Sequence, residues 1–171
     1  SDVCSSDLKY LSDVIREKMK KDGHRFYACD NVSNYVSDQD KPELIKELTD
    51  KFQGVLDTLL IDTDNDPNSK DTAKRLAKMY VYELMAGRFE PKPDTTSFPN
   101  EGENRFEGML VARAELRSMC SHHHQPVKGV CYIGIIPTGR VIGLSKYVRI
   151  AQWCSRRGQL QEELVRSEEH T

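Results

Sequence analysis

Residues 109–140 read MLVARAELRSMCSHHHQPVKGVCYIGIIPTGR, and the hydrophobic period within this stretch decides the fold class. Leu110, Ala112, Ala114 and Leu116 alternate with Val111, Arg113, Glu115 and Arg117, which is the pattern of a strand with one buried and one polar face. GVCYIGII, residues 129–136, is apolar at every position, so this second strand is expected to be central in its sheet or covered on both faces in an assembly. PTGR, residues 137–140, reads as a hairpin turn.

The flanking segments are helical. On the C-terminal side Ser145 is expected to cap a helix carrying Tyr147, Ile150, Ala151 and Cys154 as its core stripe, with Gly158 ending it and QLQEEL opening another element. On the N-terminal side, residues 90–104 read as a connection with three prolines, preceded by a helix whose face is Leu76, Ala77, Tyr80, Val81, Leu84 and Met85 and which stops at Gly87. Before that, Asp40-Lys-Pro-Glu43 combines an N-cap candidate, a proline at the helix start and an acid three residues after the cap. It is followed by Leu44, Leu48, Phe52, Val55, Leu56 and Leu59 at helical spacing. Residues 9–40 show only Leu11, Val14 and Ile15 as a short helical signal, and residues 25–36 show no sustained period. Helices, then an antiparallel sheet, then helices define an α+β domain.

Composition narrows the classes. The 171 residues carry 25 basic and 27 acidic side chains, a formal net charge of -2. SDVCSSDL at the start and RSEEHT at the end look like adapter-derived peptides, so the expected organisation is non-native segments at 1–8 and 166–171, an N-terminal extension at 9–40 and a catalytic-type domain at 41–165. Without those ends, one basic and four acidic residues fewer, the counts become 24 and 23. A charge so near zero does not mark a nucleic-acid or membrane partner. Cys29, Cys120, Cys131 and Cys154 have no paired spacing, which favours a reduced, cytoplasmic setting where cysteine beside histidine points to metal or catalysis. No apolar run approaches the roughly 20 residues a membrane-spanning helix needs. DTDNDPNSKD, residues 62–71, has alternate acids but Pro67 where a calcium loop turns on glycine and Ala73 where its bidentate acid belongs, so calcium is not expected there.

Three constellations can carry chemistry. In Cys120-Ser-His-His-His124, thiolate and imidazole are preferred zinc ligands. An extended run would put Cys120, His122 and His124 on one face, whereas a turn brings Cys120 and His123 together. The run starts where the strand pattern stops and precedes Gln125-Pro126, which favours the turn and the Cys120–His123 pair over the strand, with a solvated polar turn as the bland alternative. In GLSKYVR, residues 143–149, a capping Ser145, free helix amides, Lys146 and Arg149 would suit a phosphate, or equally a capped surface helix. Gln161, Glu162 and Glu163 could read the edge of a base, although acids in a first helical turn need no function.

Taken in order, the Cys-X-His-His turn, central strand, GLSK with an arginine three after its lysine, Arg156-Arg157 and the Gln-Glu pair resemble the GTP cyclohydrolase I family, as does DTAKRLAKMYVYELMAG, residues 71–87. The resemblance spans roughly residues 45–165. It implies a tunnelling fold with N-terminal helices and with helices packed on one face of an antiparallel sheet. The subunits of such a fold commonly form a decamer of two pentamers, with active sites between subunits. It further implies Zn2+ held by Cys120 and His123, with His122 acting on the attacking water. GTP would be bound through Ser145, Lys146 and Arg149 at the triphosphate and Gln161 and Glu162 at the guanine edge. The product would be 7,8-dihydroneopterin triphosphate, with formate released.

The chain departs from the family at Ser121, where glutamate is usual, and at His124, where an aromatic residue is more common and which the resemblance leaves unassigned between bystander and competing ligand. The family's third zinc ligand, its histidine acid and a further phosphate-binding arginine would fall beyond Val165. Cys131 and Cys154 occupy core positions and are poor substitutes. Two other readings stay open: a nitrile reductase-like relative with a cysteine nucleophile and a nicotinamide cofactor, and a non-catalytic nucleotide-binding or assembly subunit.

Overall fold

The computed structural model describes residues 10–103 and 105–169, with side chains to Val165; the adapter-like segment 1–8 lies outside them. The element order is α1 (Leu11–Lys21), α2 (Lys41–Thr58), α3 (Thr72–Met79), a π-helical turn (Tyr80–Leu84), α4 (Ala86–Phe89), β1 (Ser97–Pro99), β2 (Leu110–Met119), β3 (Pro126–Ile135), β4 (Arg140–Ile142), α5 (Leu144–Ser155) and α6 (Gln161–Glu169). This is the α+β arrangement the period change implies, and it is compatible with a tunnelling fold.

β2 and β3 form one antiparallel hairpin in continuous register from Leu110 opposite Ile135 to Met119 opposite Pro126. Alternation sorts their faces. Ala112, Ala114, Leu116 and Ser118 are buried, while the residues between them are exposed. α5 lies on the inner face, where Ala114 and Leu116 meet Ala151 and Leu164, with Cys131, Ile133 and Val148 at the margin. Alanines at 114 and 151 let helix and strand approach closely.

A second core joins α2 to α3 through Ile45, Ala77 and Val81, and a third joins α1, the following loop and α2 through Met19, Val32, Val36 and Leu44. The loop of the third core lacks periodicity because hydrogen bonds to side chains organise it. The Arg88 guanidinium donates to the carbonyls of Phe26, Tyr27, Ala28 and Asp30, and Asn31 donates through Nδ2 to Gly87 at 2.9 Å and Glu90 at 2.7 Å. Burial pulls the Arg88 pKa below its ordinary value.

Several sequence expectations are corrected. Of the two arrangements expected for strand β3, the central one does not occur among the described residues: β3 pairs only with β2, and Tyr132, at 70%, and Ile136 just past its end, at 75%, are exposed in the single chain. PTGR is not a hairpin turn, because β4 pairs with β1 instead of β3. Buried Asn100 explains this choice: its Nδ2 donates to the Phe106 and Thr138 carbonyls at 2.9 Å, and its N–H donates to Gly139 at 3.0 Å. The 90–104 connection therefore contains a strand.

The N-cap of α5 is Gly143, so Ser145 sits inside the first turn. The helix read as stopping at Gly87 instead passes through a π turn and resumes to Phe89. Gly87 is required by contact: a Cβ there would lie 2.0 Å from the Trp153 carbonyl oxygen. Asp40 is the N-cap of α2, yet its carboxylate accepts from the Ser37 N–H at 2.8 Å and hydroxyl at 2.6 Å and makes no capping bond. The apolar stripe of α2 is only partly buried, since Val55 and Leu59 are exposed. In the acidic loop, Asp62 accepts from the amides of Asp64 and Asn65 and Asp66 from that of Asn68, which accounts for those carboxylates without a cation.

Candidate active site

The β2–β3 connection is where the thiol and imidazoles fall. The Cys120 N–H donates to the Gln125 carbonyl at 2.9 Å and the His124 N–H donates to the Cys120 carbonyl at 3.0 Å, closing a tight loop. Residues 121–123 form the turn, and His124 ends it in the left-handed region at φ 54°. Histidine is among the residues that tolerate this region. The run is thus a turn, and the extended arrangement that would align Cys120, His122 and His124 does not occur.

Cys120 is partly buried at the loop's base, whereas His122 and His123 are exposed with their rings 6.2 Å apart and nearly perpendicular. His124 Nδ1 lies 3.1 Å from the Tyr80 hydroxyl. Nothing in the periodic reading of α3 marked Tyr80 for this contact. The π turn that begins at Tyr80 could not be foreseen from apolar spacing.

α6 is fixed beside the base of this loop. Gly158 bridges Met119 as a parallel neighbour, the Gln159 N–H donates to the Met119 carbonyl at 3.2 Å, and Gln159 Nε2 donates to the Cys154 carbonyl at 2.7 Å. A side chain at position 158 would press on Met85 Cε at 3.0 Å. Gln161 then lines a cleft of about 340 Å³ with Lys128, Cys131, Tyr132 and Leu164. Glu163, through its bond from the Leu160 N–H at 2.9 Å, is the acid that caps α6, and Glu162 is exposed. The Gln-Glu pair and the His loop are therefore brought to the same end of the sheet.

Ser145 and Lys146 are not brought there. α5 runs along β2 so that Gln152 Nε2 approaches the Glu115 carbonyl at 3.4 Å and Cys154 reaches the segment beside Met119. Its N-terminus lies toward the opposite end, roughly 15 Å along the axis for ten residues at ~1.5 Å each. There Ser145 is exposed and Lys146 half-buried, with first-turn amides available for an anion. Arg149 is exposed and lines a separate small cleft with Glu90, Trp153 and Arg156.

In the sequence Arg157 is only half of an arginine pair. Its guanidinium stacks 3.9 Å from the Trp153 ring centroid and donates to the Cys29 carbonyl at 3.2 Å, and burial lowers its pKa.

The donor set can be tested against a metal. One thiol and one imidazole three residues apart in a turn suit zinc, but among the described residues no group of three or more His, Cys, Asp or Glu converges. The pair fits as part of a site that needs a further donor.

The geometry defines an α+β domain with a Cys-X-His-His loop closing the β2–β3 hairpin and an anion-competent start to α5. The GTP cyclohydrolase I family model matches residues 48–168, and the chain belongs to that family. It is similar to GTP cyclohydrolase 1 of Aeromonas salmonicida (strain A449), 35% identical over 139 residues, covering 78% of this chain and 60% of that protein. The Flavobacterium johnsoniae GTP cyclohydrolase 1 is 37% identical over 132 residues, 76% of this chain and 56% of that one. The Streptococcus suis (strain 05ZYH33) GTP cyclohydrolase 1 is 41% identical over 109 residues, 61% and 57% respectively. The chain spans about three fifths of the length of these relatives.

Proposed function

We propose that the protein containing this chain is a zinc-dependent GTP cyclohydrolase I, acting in the cytoplasm as a homo-oligomer. The observation that carries the reading is the tight Cys120–Gln125 loop, which sets a thiol and an imidazole three residues apart inside the segment matched by the family. Cys120 and His123 would hold the metal, with a further donor from outside the described residues. Bound zinc supplies Lewis acidity that brings the pKa of water toward neutrality.

The chain's own residues do the rest. His122, exposed on the loop beside His123, takes a proton from the water that adds to C8 of guanine. Gln161 and Glu162, beside the loop's base, hold the guanine edge, the carboxylate accepting from its N–H donors. Ser145, Lys146 and Arg149 bind the triphosphate at the α5 N-terminus, where amides and cations favour negative charge.

Because Lys146 and His122 lie toward opposite ends of the sheet, the triphosphate-binding residues of one subunit would serve the His loop of another. That division gives the oligomer a chemical role. Ring opening, loss of formate, ribose rearrangement and reclosure lead to 7,8-dihydroneopterin triphosphate.

The test is incubation of the full-length, zinc-loaded protein with GTP, expecting a fluorescent neopterin after oxidation. NADPH consumption with a deazaguanine nitrile, without pterin from GTP, would overturn the reading.

A further inference from the structure

His124 has no counterpart among the roles above, yet its side chain bonds to a residue outside the loop. Its Nδ1 lies 3.1 Å from the Tyr80 hydroxyl, with the rings 5.7 Å apart. Among the described residues this is the one side-chain hydrogen bond that reaches the loop from outside. Tyr80 is itself anchored: its ring packs on Phe52 of α2 at 5.2 Å, and it is the first residue of the π-helical turn. Such turns shift the side chains that follow by one position and recur at functional sites. The backbone of His124 is in the left-handed region and its N–H closes the loop onto Cys120. One residue therefore ends the turn, bonds to the Cys120 carbonyl and is gripped from α3's extension.

We propose that Tyr80 and His124 form an anchor that fixes the Cys120–His123 loop, with Tyr80 as a positioning residue and His124 as its partner, so that His124 Nδ1 is committed to Tyr80 and not to the metal. This inference rests on the metal reading of the preceding subsection. Its logic is preorganisation: two ligands held in register lose less freedom on binding than two on a free loop.

The test uses Co2+ titration of the full-length protein, followed by thiolate-to-cobalt charge-transfer and ligand-field bands, together with circular dichroism and Tm. Tyr80→Phe should weaken Co2+ binding by about 3- to 10-fold, the net worth of one hydrogen bond, with Tm unchanged and the bands in place. His124→Leu should match or exceed that loss, and the double variant should be no weaker than His124→Leu alone. His124→Asn should restore affinity. Asparagine tolerates the left-handed backbone and presents Oδ1 where the imidazole presents Nδ1, but it cannot replace Nε2 as a ligand.

If His124→Asn loses the metal and changes the bands while Tyr80→Phe does neither, His124 is a ligand and the proposal is overturned. A fall in Tm with unchanged Co2+ affinity would make the contact purely structural and overturn it too. Wild-type protein that takes up no stoichiometric Co2+ would overturn the metal reading and the anchor with it, whereas wild type that binds while Tyr80→Phe is indistinguishable from it overturns the anchor alone.

Discussion

His122 and His123 are adjacent, yet the loop gives them different positions: His123 is three residues from Cys120, and His122 is one of the two residues between. On the proposed mechanism His122→Ala should lower kcat by about 10²- to 10⁴-fold, the usual worth of a positioned acid or base, with KM little changed. Cys120→Ser or His123→Ala should abolish stoichiometric zinc by metal analysis and activity with it. Lys146→Ala should act the other way, raising KM for GTP more than it lowers kcat, since its proposed role is to hold phosphates far from the reacting ring. The turn at 121–123 was legible because the strand pattern stops at Met119 and Gln125-Pro126 follows the histidines. His124 was not legible. Its contact with Tyr80 crosses 44 residues and depends on a π turn that leaves no hydrophobic period.

Periodic elements were readable because each buries one face: β2's alternation and the Ala77 and Val81 stripe follow from burial alone. The segment 26–33 was not readable, because Arg88 holds its carbonyls from a distance and its own Asn31 reaches out to the carbonyls of Gly87 and Glu90. Ser145 was misplaced as the cap because Gly143 already turns the chain, at φ -60° and ψ 139°. Among the glycines, Gly87 has the least room for a side chain. Gly87→Ala would drive a methyl into the Trp153 carbonyl, and overpacking of this kind costs roughly 1–3 kcal/mol or more, so Tm should fall by several degrees in a thermal scan.

Glu47 ties α1 to α2, accepting from the Ser12 hydroxyl at 2.6 Å and from Lys51. Burial alone would raise its pKa, but the hydrogen bonds from Lys51 and Ser12 outweigh burial and hold it below its ordinary value of 4.5. A depressed carboxyl contributes stability that is present above its unfolded pKa and lost as pH falls through its folded pKa. Chemical denaturation should therefore show stability dropping as pH is lowered below about 4.5, and Glu47→Gln should be less stable at neutral pH with a flatter acid limb.

Taken as one body, the chain places its proposed metal pair and guanine-edge residues at one end of the β2–β3 sheet and its proposed triphosphate residues toward the other, and among the described residues β3 has an open edge. An apolar, unpaired edge strand is a surface for pairing with another chain. The doubly apolar run at 129–136 was legible as needing cover, though not as an edge, because a lone sequence cannot say whether the covering strand is its own. Tyr132→Lys, at a residue already 70% exposed, should leave circular dichroism unchanged while light scattering reports a smaller assembly, and pterin formation should fall in step. An unchanged mass would refute the assembly surface.

What separates cyclohydrolase chemistry from every other use of a nucleotide site is the fate of one carbon. GTP labelled with carbon-13 at C8, given to the full-length zinc-loaded protein, should release labelled formate in one-to-one proportion with dihydroneopterin triphosphate. Label retained in the purine ring, with or without phosphate release, would contradict the account.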